Sequence, residues 1–500
     1  NILIQKKMKK NLAFGLIFLY TLIFSQYYSE KYRPQFHFSP EKMWMNDPNG
    51  LVYFNGKYHL FYQYYPDANV WGPMHWGHAV STDLIHWKHL PIALYPDALG
   101  WIFSGSAVID KNNTAGFGKN AMVAIFTYHN DEIWKAGNKN TESQGIAYSL
   151  DEGNTWTKYE GNPVLNNQGE QDFRDPKVFW NDKINQWTMV LAVQDHLQIY
   201  SSPNLKNWKL ESRFKPENDL DVGVWECPDL IKMKVGNSKE EKWVLIQNHG
   251  RKAPNGGSGT RYWVGDFDGK TFKNTQPSVW MDYGTDFYAG VTFSNVPNDK
   301  ILFIAWMSNW LYATKVPTEA WRSAMTLPRE LFLKKIGSQY ILTQKIIDTF
   351  SKITSPVLKV GELKLPFEKK LNLAQKEITF NIEGSQNDFK IEFANAKKEF
   401  FEIALKGNQL ITDRKKSGKT DFEETFAEKP QTMDLRNQKI RNVQLILDQA
   451  SVEILLNDGE FSMTNIYFPS ENFNLLKISS ATKSGIKNLK INNIRSIWKK

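Results

Sequence analysis

Short runs in which apolar and polar residues alternate, separated by tight-turn residues, fill the chain from about residue 36 to residue 333. The first pair of runs, 51–54 and 57–62, flanks Asn55 and Gly56. An Asn-Gly pair supplies the positive φ angles of a two-residue turn, so this pattern predicts a β-hairpin. Four later pairs have the same form: 107–109 with 123–127, 177–180 with 187–192, 230–233 with 243–247, and 291–294 with 301–306.

A second pattern follows four of the five hairpins: a short turn that contains Asp or Asn and ends in an aromatic residue. It occurs at 81–87, 149–156, 202–208 and 266–272. Five hairpins, four of them followed by an outer turn, are typical of a β-propeller with four-stranded blades. We therefore predict an all-β fold that begins with a five-bladed β-propeller over 33–335, with an irregular β-sandwich as the alternative.

After residue 333 the sequence changes, because tryptophan becomes rare and alternating runs are separated by polar turns. Many short strands at this spacing are typical of a β-sandwich. We predict a C-terminal β-sandwich over 358–500, joined to the propeller by a linker at 336–357 with a short helix near 343–350. The runs that predict sandwich strands are 378–382, 389–393, 400–405, 443–447, 452–456, 475–478 and 489–491.

The first 26 residues have the pattern of an export signal. Lysines at positions 6, 7, 9 and 10 precede an apolar run over 12–24, which is shorter than the roughly 20 residues of a membrane-spanning helix. Met8 is the expected start residue, and 1–26 is the predicted signal peptide. The sequence therefore predicts an exported protein, periplasmic or extracellular, with no stable membrane insertion after signal removal.

The composition of the chain bears on its fold and on the kinds of partner and site that it can have. Aromatic residues form 14% of the chain, which favours strands and flat binding surfaces. The formal net charge of +9 falls to +5 when the four lysines of the predicted signal are removed, which is too small to indicate nucleic-acid binding. Cys227 is the one cysteine in the sequence, which excludes an intramolecular disulfide and a multi-cysteine metal cluster.

Acidic residues recur at the start of the predicted hairpins. Asp47 precedes the first hairpin, Asp175 the third and Glu226 the fourth. Equivalent strands of propeller blades begin at the same end of the central axis, so these carboxylates are expected to meet in one funnel. Each also has an ordinary interpretation: a turn at 47–50, a surface salt bridge between Arg174 and Asp175, and a rim carboxylate at Glu226.

Three acids in one aromatic pocket fit glycoside hydrolysis. A retaining glycosidase uses a carboxylate nucleophile and, about 5–5.5 Å away, a carboxylic acid that protonates the leaving oxygen. We expect Arg174 to keep Asp175 ionised if the two side chains meet. Cys227 is expected to be a small packed residue beside Glu226, with a reactive thiol as the alternative.

Three segments resemble the signature motifs of glycoside hydrolase family 32, which contains invertases, inulinases and levanases. They are Trp-Met-Asn-Asp-Pro-Asn-Gly at 44–50, Arg-Asp-Pro at 174–176 and Glu-Cys at 226–227. Segments 61–64, 71–78, 103–106, 413–418 and 452–459 are also similar to the family, so the resemblance covers almost all the mature chain. It implies a five-bladed propeller followed by a β-sandwich, and retaining hydrolysis of β-fructofuranosides without a metal or another cofactor.

The resemblance also implies a role for each matching residue. Asp47 corresponds to the nucleophile, Glu226 to the acid/base and Asp175 to the stabiliser of the transition state. The positions that match fructose-binding residues are Trp44, Asn46, Gln63, Trp71, Phe103, Ser104, Arg174 and Trp306.

The implied substrate is a fructose-containing oligo- or polysaccharide such as levan, inulin or sucrose. Segment 306–330 is more similar to exo-acting levanases and inulinases than to plant invertases, which implies release of fructose from chain ends. Three alternatives stay open at this point: a non-catalytic, lectin-like fructan-binding protein, a fructosyltransferase of the same family, and a five-bladed hydrolase of arabinose polymers. The motif at 44–50 argues against the last.

Overall fold

The computed structural model describes residues 28–217, 219, 223–384, 388–482 and 485–498. The predicted signal peptide, 1–26, lies outside the described residues. Within these residues the strands form seven sheets, five from the N-terminal part of the chain and two from the C-terminal part. The fold is all-β, a propeller followed by a sandwich, as the strand patterns predicted.

Each of the five N-terminal sheets is one blade of the propeller, and all five predicted hairpins lie inside them. Blade 1 contains β1 (Met43–Phe54), β2 (Lys57–Tyr65), β3 (His75–Ser81) and β4 (Lys88–Leu94), and blade 2 contains β5 (Trp101–Asp110), β6 (Ala121–His129), β7 (Glu142–Ser149) and β8 (Thr157–Lys158). Blade 3 contains β9 (Phe173–Asn181), β10 (Gln186–Val193), β11 (His196–Ser202) and β12 (Lys209–Phe214), and blade 4 contains β13 (Trp225–Lys234), β14 (Glu241–His249), β15 (Gly259–Phe267), β16 (Phe272–Asn274) and β17 (Val279–Trp280). Blade 5 contains β18 (Tyr288–Thr292), β19 (Leu302–Trp306), β21 (Arg329–Ile336) and β22 (Gln339–Ile346).

The first strand of each blade faces the central axis. Contacts join β1 to β5, β5 to β9, β9 to β13, β13 to β18 and β18 back to β1, so the ring of inner strands is closed. At the junction of blades 5 and 1, the Ser294 backbone N–H donates to the Leu51 carbonyl at 2.9 Å. A short strand, β20 (Trp321–Arg322), also pairs in parallel with β1.

A β-bulge interrupts every inner strand close to its start. The pairing between the first and second strands of the blades shifts register at 45–48, 102–105, 174–177, 226–229 and 288–291. The backbone at Asp175 and Cys227 is left-handed, with φ of 65° and 43°. Because a bulge re-aims side chains out of the ladder, one end of the axis receives side chains from all five blades.

The outer turns of the blades are held by their Asp or Asn residues. The Asp83 carboxylate accepts from the backbone N–H groups of Ile85 at 3.0 Å and His86 at 2.8 Å. Asn204 and Asp268 accept from the second and third following residues in the same way. These are Asx turns, which explains why a short acidic or amide residue recurs at this point of the sequence.

The C-terminal domain consists of two packed six-stranded sheets. Apolar side chains from their facing surfaces, such as Phe380, Phe401 and Leu445, form one buried cluster. In spatial order the first sheet contains β23 (Thr354–Leu363), β34 (Gly485–Ile494), β25 (Lys376–Glu383), β30 (Asn442–Leu447), β31 (Ser451–Leu456) and β32 (Phe461–Ile466). The second sheet contains, in the same order across the sheet, β24 (Phe367–Lys370), β33 (Leu475–Ser479), β26 (Asp388–Ala394), β27 (Phe400–Lys406), β28 (Gln409–Asp413) and β29 (Gln431–Asp434).

The segment 336–357, predicted as a linker, has regular structure instead. Residues 339–346 form β22, the outer strand of blade 5, and the short helix is a 3-10 helix at Asp348–Ile353 rather than at 343–350. The sandwich then begins with β23 at Thr354. Ile341, Leu342, Thr343 and Gln344 are all buried in β22, so both faces are covered and the strand lacks the alternation that marks a half-exposed one.

Few helices occur in the described segments, and they are short. They are α1 (Asp131–Lys135) and 3-10 helices at Pro297–Asp299, Asp348–Ile353 and Glu424–Phe426. No helix in those segments has the length and apolar character needed to cross a lipid bilayer.

A buried charged interface joins the propeller to the sandwich. His37 contacts Asp448 and Glu453 of the sandwich, each at 2.8 Å, and Arg329 of blade 5 also pairs with Glu453. Arg414 of the sandwich contacts Asp286 of blade 5 at 2.8 Å. The segments around Arg414 and Glu453, which carried part of the family resemblance, therefore attach the two domains to each other.

Candidate active site

A pocket of about 470 Å³ opens at the end of the propeller axis where the five bulges lie. This volume is within the range of about 300–1,000 Å³ that is usual for small-molecule sites. Its lining residues are Asn46, Asp47, Gln63, Trp71, Phe103, Ser104, His129, Trp134, Gly137, Asn138, Lys139, Thr141, Glu142, Gln171, Asp172, Arg174, Asp175, Glu226 and Trp310. The three predicted catalytic acids, from blades 1, 3 and 4, are all among them.

Asp47 projects from the bulge of β1 and is held by three donors. Ser104 Oγ donates to Oδ2 at 2.8 Å, Asn46 Nδ2 donates to Oδ1 at 3.0 Å, and the Cys227 thiol contacts Oδ2 at 3.4 Å. Asn46 is itself oriented by Trp44, whose indole N–H donates to Oδ1 of Asn46 at 2.7 Å. This arrangement presents one carboxylate in a defined rotamer at the bottom of the pocket.

Asp175 contacts the same cysteine as Asp47 does. Its Oδ2 accepts from the Cys227 backbone N–H at 3.0 Å and contacts the Cys227 sulfur at 3.5 Å. The Asp175 backbone N–H donates to Thr127 Oγ1 at 3.0 Å, which anchors the left-handed turn. Cys227 therefore bridges the two aspartates, as the packed residue expected from the sequence and with its thiol directed at carboxylates.

Glu226 is contacted by a cation and a phenol. Its Oε1 accepts from Arg174 NH2 at 3.0 Å, and its Oε2 accepts from the Tyr288 hydroxyl. The remaining contacts of Arg174 are Asp172 at 2.7 Å and Glu142 at 3.2 Å. Arg174 thus hydrogen-bonds Glu226 rather than Asp175, since the bulge turns the adjacent side chains in different directions.

Burial and mutual repulsion raise the affinity of the aspartates for protons. Burial raises the pKa of Asp47, and the negative charge of Glu226 raises it further. Burial raises the pKa of Asp175 to about 8; the charge of Arg174 opposes this shift without cancelling it. Arg174 was expected to keep Asp175 ionised only if the two side chains meet, and the guanidinium instead contacts Glu226, Asp172 and Glu142. Excess negative charge in a buried pocket favours a ligand that becomes positively charged.

The predicted sugar-binding residues divide into two groups. Asn46, Gln63, Trp71, Phe103, Ser104 and Arg174 line the pocket. Trp44 and Trp306 are fully buried, with ring centroids 6.4 Å apart, and the pocket wall on that side is formed by Trp310. The two buried rings support this wall, because Trp310 packs on Trp44 at 5.9 Å and on Trp306 at 5.0 Å.

Several residues of the site were not singled out by sequence reasoning. Tyr288 is the first residue of β18, and its position at the bulge of that inner strand was the available signal. Glu142 and His129 face each other at the ends of β7 and β6, with 3.4 Å between Oε1 and Nδ1. Trp134 lies on α1, and α1 has no strand pattern that would connect it to the axis.

The axis is closed beneath the acids. Lys177 Nζ donates to the Thr292 carbonyl at 2.7 Å and lies 3.1 Å from Asp229 Oδ2. A cavity of about 10 Å³ lies at this level, lined by Asp175, Lys177 and Cys227 among others, and it is smaller than a sugar ring. These residues close the pocket at its inner end.

Metal ligation is not a feature of this site. Across the part of the chain that the structure describes, no group of three or more His, Cys, Asp or Glu side chains is arranged to hold a metal ion. The acids instead accept hydrogen bonds from Ser104, Asn46, Arg174 and Tyr288. These contacts suit carboxylates that exchange protons or attack carbon.

Comparison with known families matches nearly the whole described chain. Residues 37–345 match the family model described as glycosyl hydrolases family 32 N-terminal domain, and residues 343–493 match the model of the family 32 C terminal. The two matched regions correspond to the propeller and to the sandwich.

Individual relatives are similar over long alignments. A levanase of Bacillus subtilis (strain 168) is 43% identical over 528 residues, covering 99% of this chain and 75% of the relative. An extracellular exo-inulinase of Aspergillus awamori is 39% identical, covering 92% of this chain and 93% of the relative. A crystal structure of exo-inulinase from Aspergillus awamori superimposes with a TM-score of 0.83 at 36% identity, covering 94% of this chain and 100% of that one.

Proposed function

The chain belongs to glycoside hydrolase family 32, and from this premise we propose that Asp47, Asp175 and Glu226 cleave β-fructofuranosides in the axial pocket. The protein is a glycoside hydrolase that releases fructose, as its levanase and exo-inulinase relatives indicate. The observation that carries the residue assignment is the contact of both Asp47 and Asp175 with the Cys227 sulfur, next to Glu226 in sequence.

Asp47 is the proposed nucleophile. Its carboxylate attacks the anomeric carbon of a terminal fructosyl unit while the bond to the leaving oxygen breaks, which forms a fructosyl-enzyme ester. Ser104 and Asn46 support this role, because their hydrogen bonds fix the orientation of both carboxylate oxygens. Attack by water on the ester then restores Asp47, and two displacements give retention of configuration.

Glu226 is the proposed acid and base. It donates a proton to the leaving oxygen in the first step and removes a proton from water in the second. Tyr288 and Arg174 each contact one of its oxygens, so they hold the carboxyl group in place. Arg174 is itself held by Asp172 and Glu142.

Asp175 is the proposed stabiliser of the transition state. The ring gains positive charge as the glycosidic bond breaks, and a buried carboxylate close to it gains more interaction energy in that state than in the ground state. The pKa of Asp175, which burial raises to about 8, falls when a positive charge develops beside it. The charge that develops in the transition state therefore favours the ionised form of Asp175.

The closed inner end of the pocket supports an exo mode of action. Lys177 and Asp229 block the axis under the acids, so a polymer cannot pass through and only a chain end reaches Asp47. Levan, inulin and sucrose are the proposed substrates, because relatives of this chain are named for the first two and for invertase activity. A panel of the three sugars with product analysis ranks them.

Export from the cell completes the proposal. The exo-inulinase of Aspergillus awamori is described as extracellular, and residues 1–26 have the pattern of an export signal. Mass analysis of the N-terminus of protein recovered outside the cytoplasm tests the cleavage; an uncleaved N-terminus contradicts it.

Substitution of the acids tests the catalytic assignment. We expect Asp47→Asn and Glu226→Gln to lower kcat for fructose release by on the order of 10³-fold or more while the fold is retained. The control is Asp266→Asn, since Asp266 is an exposed carboxylate on β15, far from the axis. Near-normal turnover by either site variant refutes the assignment, and the absence of fructose release by the unmodified enzyme refutes the function.

A further inference from the structure

We propose that the β6–β7 connection binds the sugar units that follow the one being released, with Trp134 as the main contact. This inference rests on the proposed function, because it extends the same pocket outward. Trp134, Gly137, Asn138 and Lys139 of this connection all line the pocket.

Trp134 has no structural role that accounts for its size. Its side chain is 59% exposed, and α1 contains no buried residue. A ring of this size normally packs in a core or meets a binding partner, so an exposed one at a pocket rim indicates a binding surface. The apolar faces of sugar rings are suitable partners for an indole.

The connection is held in one conformation by its own hydrogen bonds. Asn130 caps α1 by accepting from the Ile133 N–H at 3.1 Å, and Asp131 pairs with Lys135 at 2.6 Å. Thr141 Oγ1 donates to the Asn138 carbonyl at 2.8 Å where the chain returns to β7. A preorganised surface loses little conformational entropy when a ligand binds.

An aromatic wall connects this surface to the cleavage site. The Trp134 ring lies 6.4 Å from the ring of His129, which stacks on Phe103 at 4.2 Å with 9° between the planes. Phe103 in turn contacts Trp71 at 6.1 Å. A chain that leaves the inner pocket along this wall therefore meets Trp134 after the first departing sugar.

His129 supplies a polar group on the same wall. Its side chain is 7% exposed, and its Nε2 has no hydrogen-bond partner among the described residues. A buried nitrogen of this kind gains a partner when a sugar hydroxyl enters the pocket. Together, His129 and Trp134 offer one hydrogen bond and one stacking face to a neutral fructan chain.

The dependence of KM on the length of the substrate chain distinguishes the surface of the β6–β7 connection from the part of the pocket that contains Asp47. We expect Trp134→Ala to raise KM for a fructan oligosaccharide of five or more units by about five- to tenfold, the loss expected for one stacking ring. The kcat for that substrate and both constants for sucrose stay within about twofold, because sucrose extends only one sugar beyond the cleaved bond. Trp134→Phe restores part of the affinity.

Leu150→Ala is the matched control, since Leu150 is 64% exposed and follows β7 at the end opposite to Trp134. Binding of the oligosaccharide to Glu226→Gln and to the Glu226→Gln/Trp134→Ala double variant measures affinity without turnover. Equal KM changes for sucrose and oligosaccharide, or no change in either, overturn the proposal. Failure of the unmodified enzyme to release fructose instead overturns the proposed function.

Discussion

Replacing Glu453 by glutamine perturbs the buried charged interface between propeller and sandwich. Glu453 accepts from His37 Nε2 at 2.8 Å, from the Leu327 N–H at 2.9 Å, and from Arg329. The other ring nitrogen of His37 contacts Asp448 at 2.8 Å. Because both nitrogens of His37 face carboxylates, both donate and the ring is protonated. The variant therefore leaves two buried cations short of one negative charge.

The pKa of Glu453 sets the size of the effect. Burial alone raises this pKa, but the charge of Arg329 and the contact with His37 lower it from 4.5 to about 2. At 1.36 kcal/mol per unit, this difference corresponds to about 3 kcal/mol. Removal of one partner from a buried ion pair costs about 3–5 kcal/mol. We therefore expect Glu453→Gln to lower the free energy of unfolding by about 3 kcal/mol.

The interface also predicts the direction of the pH dependence. The contribution of Glu453 is present above pH 4.5 and is lost as the pH falls toward 2. Burial alone lowers the pKa of His37, but its hydrogen bonds to Asp448 and Glu453 raise it to about 9. The contribution of His37 is thus complete below pH 6.5 and is lost as the pH rises through 9. The interface is most stabilising between these limits.

Urea unfolding followed by tryptophan fluorescence measures both effects. The unmodified protein, Glu453→Gln and the control Glu368→Gln are compared at pH 3, 5.5 and 9, since Glu368 is exposed on β24. The difference between Glu453→Gln and the control is expected to be largest at pH 5.5. A difference below about 0.5 kcal/mol at that pH, within the usual scatter of surface substitutions, refutes the reasoning.

Two further predictions concern the pocket. Tyr288→Phe removes the donor to Glu226 and is expected to lower kcat about 10- to 100-fold. The control, Tyr340→Phe, removes an exposed contact with Glu240 and is expected to leave kcat unchanged. Equal rates for the two variants contradict the role assigned to Tyr288. Burial raises the pKa of the Cys227 thiol. At pH 8 a thiol-specific disulfide reagent is therefore expected to label the folded protein about 100-fold more slowly than the urea-unfolded protein. Similar labelling rates for the two forms contradict this expectation.

The hairpins and outer turns were predictable because their causes are local. Asn55 and Gly56 adopt the φ angles of 46° and 80° that the turn requires, and the Asp83 turn is made by its own carboxylate. The period of alternation also identified the sandwich strands. The strand at 339–346 was missed because burial on both faces depends on a domain that is distant in sequence.

The same division, between what local sequence predicts and what depends on the tertiary structure, applies to the three acids of the site. Asp47, Asp175 and Glu226 were recognised from motifs and from their common offset, and the structure brings them to one pocket. The sequence left open whether Arg174 meets Asp175, because adjacency carries no information on side-chain direction at a bulge. Trp306 was expected to bind sugar, whereas on that side of the pocket the aromatic lining residue is Trp310.

The sequence by itself determined the fold class, the family and the three acidic residues, because each depends on residue type and on short-range spacing. Only the tertiary structure decided which charges pair, which aromatic rings reach the pocket, and how the β6–β7 connection extends it. These contacts join residues far apart in the sequence, such as Arg329 and Glu453, which are 124 positions apart. Their energies depend on distance and burial, and neither quantity exists until the chain has folded.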